Sequence, residues 1–461
     1  MTHTDGGTVM TDWGGMESAP VADVVRPHDE DTVIRAVRRA AERGMRVSVR
    51  GAGHSAGGQS FSRGGLVVDV RDLRQIVQLD PASRVVRVQT GATWGDLTPQ
   101  LEAAGLGVTT KQEFETFTIG GSIAANVHGK SLDHGPLIEA IRSFRLLRAN
   151  GDVVTVSRHE NADFFPAVVG GYGLFGIVLD VTLEVIPDPV VEKTEVVRMT
   201  LDALVERYAE RVRSTPRPVL CYGFLDPTAR EGFYLTYTEA PDGTPRPGRR
   251  QETNPYLFDA IVWLQRQLAV ARAYAFELLW HSSGGHESVL RSRRLLLWDH
   301  MPRSFDAMLL QKYVVPVEQF ASFARAASRI LTRHDLHLLT SHFRFVPGND
   351  EALLSLAPQD AICLIPCYLA DKRDPAWVER LRRATGELLE AVLERDGRHY
   401  LTFDALATRE QLRRGYPRVD EFFALKRRHD PDARFSSLFY ERYGRDTADV
   451  DAPRIGAAAA R

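Results

Sequence analysis

The sequence predicts an α+β protein. Three observations carry that reading. Helical stripes and strand alternations both recur from Pro27 onward, two Gly-rich segments adjoin strands in the first 187 residues, and long helical stretches alternate with β-branched and aromatic strands after Pro189. The 461 residues suffice for two or three domains on a prior of roughly 100–200 residues each. With 44% hydrophobic and 26% charged residues the composition is that of an ordinary globular chain, which disfavours disordered, collagen-like and disulfide-scaffold classes. Lys and Arg number 58 against 60 Asp and Glu, so the chain lacks the basic surplus of a dedicated nucleic-acid binder. Small molecules become the expected partners.

From Pro27, DEDTVIRAVRRAAERG sets Val33, Ala36, Val37, Ala40 and Ala41 on one stripe, predicting a helix of about three turns capped by Asp31 or Thr32 and stopped at Gly44. MRVSVRG alternates as a strand and runs directly into GAGHSAGGQS, which makes that Gly-rich segment the loop after a strand. GLVVDV, QIVQLD and RVVRVQTG read as short strands, the last two joined at Pro81-Ala82-Ser83, and a helix over roughly 94–104 ends at Gly105. TIGGSIAANVHGKSLDHGP suits neither a regular helix nor a strand. RSFRLLRANGDVVTVS is a hairpin with Asn150-Gly151 at its tip, and VVGGYGLFGIVLDVTLEVIP is a Gly-rich turn leading into a long strand. Pro187 and Pro189 then mark a boundary.

Beyond it, CYGFL, FYLTYTE, HLLTSHFRF, ICLIPCYL and RHYLTF alternate with the helical stretches VEQFASFARAASRILTR and AWVERLRRATGELLEAVLERDG, predicting a mostly antiparallel sheet covered by helices. PDGTPRPGRRQETNP is a loop and GAAAAR a frayed tail. The three cysteines fit a reducing compartment, and Cys363 and Cys367, four apart on one strand face, read as buried small hydrophobes with no metal site. The N-terminus lacks a basic, apolar signal pattern, and no window reaches the ~18 apolar residues of a membrane span, so no integral membrane segment and a cytoplasmic location are expected.

The segment VSVRGAGHSAGGQS carries the sharpest chemistry. Gly51, Gly53 and Ala56 match a dinucleotide fingerprint, but that fingerprint needs a helix to begin at the loop, and GGQSFSRGG cannot open one. Such a loop can instead cradle an anion on successive backbone N–H groups. His54 within it is either a polar residue bonded to its own turn or a group facing a bound cofactor.

Arg50 to Gln59, R-G-x-G-H-S-x-x-G-Q, resembles the flavin-attachment loop of the vanillyl-alcohol oxidase superfamily of FAD-linked oxidoreductases. The resemblance implies FAD, bound covalently through His54 to the flavin 8α-methyl, with Gly51, Ala52, Gly53 and Ser55 at the pyrophosphate and Gln59 closing the motif. TIGGSIAANVHGK has no cysteine, which implies a single bond. Thr118, Gly120, Gly121, Ser122 and Asn126 resemble a second flavin-contact segment, and Gly176 and Ile177 would meet the adenine side. TDWGG, NVHGKS, LQKYVVP and YPRVDEFFALKRRHDPDARF look most like decaprenylphosphoryl-ribose oxidase and its relatives, with sugar and alditol oxidases close by. The implied architecture is a two-subdomain PCMH-type FAD-binding domain, residues 15–187, with a substrate domain at 188–409 inserted before a C-terminal segment, 410–455, that returns to the first. Two features depart from the pattern. The ribose oxidases have arginine where His54 stands and hold their flavin without a covalent bond. They and the alditol oxidases also place a functional lysine just after the strand written here HYLTF, where this chain has Thr402 or Phe403.

For catalysis, SHFRFV sets His342 and Arg344 on one strand face and Ser341, Phe343 and Phe345 on the other. On its own this could be a solvated sheet edge. The resemblance to an E-x-R strand of alditol oxidases implies that Arg344 steadies a substrate oxygen and that His342, neutral or switchable near pH ~6.5, is a base. His128 and Lys130 are either a satisfied loop pair or, by likeness to an HGK segment of the ribose oxidases, a base and an oxyanion or phosphate partner. Glu113 and Glu115 are a weaker option; His134, His337 and Arg413–Arg418 read as surface features. The expected reaction is oxidation of a hydroxyl of a sugar, polyol or related small molecule to a carbonyl, by hydride transfer to flavin N5. Reoxidation is expected from O2 or another electron acceptor. Amine oxidation of cytokinin-dehydrogenase type is the alternative.

Overall fold

The computed structural model describes residues 2–4, 7–244, 255–268, 274–283, 290–292, 308–403 and 406–445. Most of PDGTPRPGRRQETNP and all of GAAAAR lie outside them.

Helix Glu30–Glu42 buries Val33, Val37 and Ala40 along its stripe. Its cap is Asp29, rather than Asp31 or Thr32: the Asp29 carboxylate accepts the Thr32 amide at 2.7 Å, while Asp31 and Thr32 already belong to the first turn. The helix crosses between the strands Asp23–Val25 and Val47–Arg50, both of which pair in parallel with Leu66–Asp69. The far end of the chain joins this small sheet, where the Val47 N–H donates to the Arg434 carbonyl at 2.6 Å and the Ser436 N–H to the Val47 carbonyl at 2.9 Å.

A second, antiparallel sheet has the order Val153–Ser157, Ile141–Leu147, Ile177–Pro187, Val85–Gln89, Ile76–Asp80, with Leu106–Val108 beside the end of the Ile177–Pro187 strand. Helix Trp94–Ala103 packs Trp94, Leu97 and Leu101 into its core. The same core takes Tyr416, Phe422, Phe439 and Tyr440 from the end of the chain. At about 1.5–3 kcal/mol for each large apolar side chain buried, that aromatic set holds the C-terminal segment firmly.

Segment TIGGSIAANV contains a helix after all, the single short stretch Ile119–Ala124. The Thr118 hydroxyl accepts the Gly121 amide, Ile119 and Ile123 are buried, and Gly120 passes so close to Thr90 that a Cβ would stand 2.7 Å from the Thr90 Cβ. Packing outweighs the poor helix propensity of the glycines.

The third sheet is antiparallel throughout: Leu290–Ser292, Val190–Thr200, Glu231–Glu239, Leu220–Leu225, Leu338–Val346, Ala361–Leu369, Tyr313–Pro316, Arg398–His399, with Met308–Leu310 also on Ala361–Leu369. Helices Leu201–Arg213, Phe320–Arg333 and Pro375–Leu393 cover one face, meeting Phe343 and Phe345. Strand Leu338–Val346 is interior, between Leu220–Leu225 and Ala361–Leu369, so the solvated-edge reading of SHFRFV does not hold. RHYLTF pairs only over Arg398–His399; Leu401 to Phe403 turn away toward the Gly-rich loop. Cys221, Cys363 and Cys367 are buried free thiols. Among the described residues no group of His, Cys, Asp and Glu could hold a metal ion, and no helix is long and apolar enough to cross a membrane.

Candidate active site

Strand Val47–Arg50 delivers the chain into the Gly51–Gly58 loop, which the turn after His399 pins from the other side. The Ala56 N–H donates to the Thr402 carbonyl at 2.8 Å, and the Gln59 amide donates to Leu401 O at 2.5 Å while accepting the Gly57 N–H at 2.9 Å. Gly51 abuts Thr118, whose Oγ1 would lie 2.1 Å from an added Cβ. Gly53, at φ +78°, lies under the Arg50 guanidinium, 2.3 Å from where its Cβ would be. Any side chain at either position would displace a neighbour.

This loop forms one end of a cavity of about 270 Å³. Gly51, Ala52, Gly53, His54, Ser55 and Gln59 all line it, as do Thr118, Gly120, Gly121 and Gly176. Ser122, Asn126 and Ile177 do not. The Ser122 hydroxyl is spent on Thr118 O and Gln112, the Asn126 carbonyl accepts the Ile138 N–H at 3.0 Å, and Ile177 begins the long strand inside the core. The His54 ring stands edge-on to Phe117, 4.4 Å between centroids; its Nδ1 is buried with no hydrogen-bond partner, and Nε2 is 3.5 Å from the Thr116 hydroxyl. Burial, and then the nearby Arg50 charge, push its pKa down to about 4, so the imidazole is neutral at pH 7.

The other end is walled by the face of the third sheet opposite the three covering helices, where helix Ala275–Ser282 also packs, through Phe276 and Trp280. Arg344 projects there and donates to Glu113 Oε1 at 3.3 Å, its Nε buried without a partner. The Lys130 ammonium reaches the same carboxylate oxygen at 2.9 Å and sits 4.1 Å above the Tyr222 ring, behind the cavity wall rather than on it. Burial alone would raise the Glu113 pKa, but Lys130 and Arg344 hold it down to about 2, so the carboxylate is ionised and anchors both cations. Glu113 thus belongs to the site as a counter-ion, whereas Glu115 is buried away from the cavity.

His342 lines the cavity with its Nε2 2.9 Å from the Thr340 hydroxyl and its ring against Phe224. Burial pushes it down to about 4, so of the two states expected for this imidazole, neutral or switchable near pH ~6.5, it takes the neutral one at pH 7. His128, also on the wall, is held well below its ordinary value by burial and then by Lys312, whose Nζ is 3.1 Å from Nε2. Lys312 is the residue that sequence reasoning missed. It lay in the quoted segment LQKYVVP, with no local feature to separate it from a surface lysine. Its Nζ stands 4.4 Å over the Tyr400 ring and 5.4 Å over Phe403, so the short link between strands Met308–Leu310 and Tyr313–Pro316 brings an amine beside the turn where Thr402 and Phe403 offer none.

A family model described as an FAD binding domain matches residues 21–157. The chain is 29% identical to decaprenylphosphoryl-beta-D-ribose oxidase of Mycolicibacterium smegmatis across 92% of its own length and 95% of that protein. It is 21% identical to L-gulonolactone oxidase of Bos taurus across 96% and 99%. A 32% match to cytokinin dehydrogenase 4 of Oryza sativa covers only 39% of this chain and 36% of that one. Over residues 21–157 the chain carries an FAD-binding domain of PCMH type, and its relatives across nearly its whole length are flavoproteins of the vanillyl-alcohol oxidase superfamily. It is an FAD-dependent oxidoreductase.

The residues of this flavoprotein suit FAD. The Arg50 guanidinium makes no ion pair among the described residues and folds over the loop backbone beside Ser60, as a pyrophosphate site needs. The uncharged His54 ring, with one nitrogen unsatisfied, suits a group that must use a lone pair.

Proposed function

We propose that this flavoprotein oxidises a CH–OH group of a sugar, polyol or sugar lactone to a carbonyl, with FAD bound covalently through His54 and with O2 or another acceptor regenerating the cofactor. The observation that carries this reading is the single cavity joining the His54 loop to Arg344, Glu113, His128 and Lys312. FAD, when bound, takes up the two electrons and the hydrogen lost from the substrate C–H bond. The protein supplies orientation and charge. Arg344, with an unsatisfied N–H, donates to the substrate oxygen and stabilises negative charge as it develops there. Glu113, itself held by Lys130, fixes the guanidinium in place, and the Tyr400 and Phe403 rings wall the amine-bearing side. Residues 15–187 with 410–455 are proposed as the FAD-binding unit and 188–409 as the substrate unit, a division supported by the aromatic residues that the chain's end contributes to the core of the second sheet.

The likeness to the ribose and gulonolactone oxidases over nearly the whole chain, against a cytokinin-dehydrogenase likeness confined to 39% of it, favours alcohols over amines. Anaerobic mixing of the purified protein with L-gulono-1,4-lactone, alditols, aldoses and amines tests the choice. Bleaching of the flavin by members of the first three groups is expected. Bleaching by amines alone would overturn the alcohol reading.

A further inference from the structure

We propose that Lys312 takes the proton of the substrate hydroxyl, with His128 holding its amine in place. The inference rests on the alcohol-oxidising reading and names the group that reading leaves open.

The cavity wall carries two side chains that are ordinarily cationic near the sheet, Arg344 and Lys312. Arg344 is paired with Glu113 at 3.3 Å; Lys312 makes no salt bridge among the described residues and is 6% exposed. Its backbone is fixed, since the Lys312 carbonyl accepts the Tyr400 N–H at 2.9 Å and the adjacent strand Tyr313–Pro316 pairs with Ala361–Leu369. The amine is therefore held at a defined point of the wall.

Its polar contact is unusual. His128 Nε2 lies 3.1 Å from Nζ, and His128 Nδ1 is buried without a partner. One tautomer, with the hydrogen assigned to Nδ1, serves both charge states of the lysine. The amine donates one N–H to Nε2 in either state, so its remaining lone pair or third N–H is free to face the cavity. The proton step then balances. The substrate O–H bond breaks, an N–H bond forms on neutral Lys312, and the products are an ammonium and an alkoxide. Arg344 donates to the alkoxide oxygen, and the faces of Tyr400 and Phe403 stabilise the new cation. The other candidate bases are worse placed. His342 is already engaged by Thr340, and Glu113 by two cations.

Several groups act on this amine: His128 from the loop after Ile119–Ala124, Arg344 and Cys363 from the two neighbouring strands, Glu113 from the segment before Thr118, and the Tyr400 ring. Burial, then Arg344, lower the Lys312 pKa to about 7 against the opposing pull of Cys363 and Glu113. A base with that value is half available at neutral pH and still strong enough to accept a hydroxyl proton in the transition state.

The test has two arms. Competitive labelling of the holoenzyme with trace acetic anhydride from pH 5 to 11, read by peptide mass, should give Lys312 a midpoint near 7. A midpoint closer to the ~10.4 of an unperturbed lysine overturns the proposal. In the second arm, the rate of anaerobic flavin reduction by whichever lactone or polyol bleaches the wild type should rise as pH passes about 7. Lys312→Met should lose that limb and slow reduction roughly 10²–10⁴-fold while keeping the flavin spectrum. Lys312→Gln provides a second variant should the methionine form fail to fold. A variant that keeps both rate and limb overturns the proposal. If no alcohol bleaches the flavin at any pH, the alcohol reading fails, and Lys312 as its base fails with it; the labelling midpoint then reports the amine's state independently of any substrate.

Discussion

Two residues show how burial converts ordinary side chains into specialised ones. His54 is kept neutral inside the loop that would carry the cofactor, with one nitrogen unsatisfied. Acid precipitation of the wild type should leave yellow colour in the pellet, whereas His54→Ala should still bind FAD but release it to the supernatant; colour retained in the variant's pellet would show attachment elsewhere. Glu113 is the opposite case, a carboxylate held ionised by two cations. Its folded-state pKa of about 2 lies below the ~4.3 of an unfolded glutamate, so its stabilisation is complete above that value and disappears as pH falls toward 2. Glu113→Gln, which leaves Lys130 and Arg344 without their shared counter-ion, should cost about 1–3 kcal/mol at pH 7 and progressively less at pH 3. Thermal midpoints of the two proteins at both pH values measure this; an equal gap at each would rule the charge effect out.

At the scale of elements, helix Val419–His429 is tied to the first sheet through a buried charge. The Lys426 ammonium bonds to the Asp430 carboxylate, which also accepts the Arg434 and Phe435 N–H groups at 2.8 Å each and so sets the strand-like segment that meets Val47. Asp430→Asn strands a fully buried ammonium and should cost about 3–5 kcal/mol, seen as a lower thermal midpoint. Adding Lys426→Met should recover part of the loss, because an absent ion pair costs less than half of one; a double variant less stable than the single would contradict this account. Local rules did well for such elements where periodicity and turn chemistry agreed, as in Glu30–Glu42 and the Asn150-Gly151 hairpin. They failed for Ile119–Ala124, where glycine content argues against a helix and the Thr118 cap, the burial of Ile119 and Ile123 and the close approach to Thr90 explain one.

For the molecule as a whole, the cavity lies where the His54 loop, the segment around Thr118 and the inner face of the third sheet converge, and its chemistry depends on contacts far apart in sequence. Glu113 and Arg344 are 231 residues apart, His128 and Lys312 184, and Gln59 and Leu401 342. The α+β class, the strand-loop that carries His54 and the alternation that separates His342 and Arg344 from Phe343 and Phe345 were legible because each depends on neighbours within one element. By itself the sequence determined the loop able to approach an anion and its resemblance to a flavin-binding family. Only the tertiary structure decided that Lys130 lies off the cavity wall, that Glu113 is a counter-ion, and that the Lys312 amine stands beside Tyr400 and Phe403. Those outcomes turn on desolvation and on charge-to-charge distances of a few ångströms, which depend on how three sheets pack and leave no periodic trace in the chain.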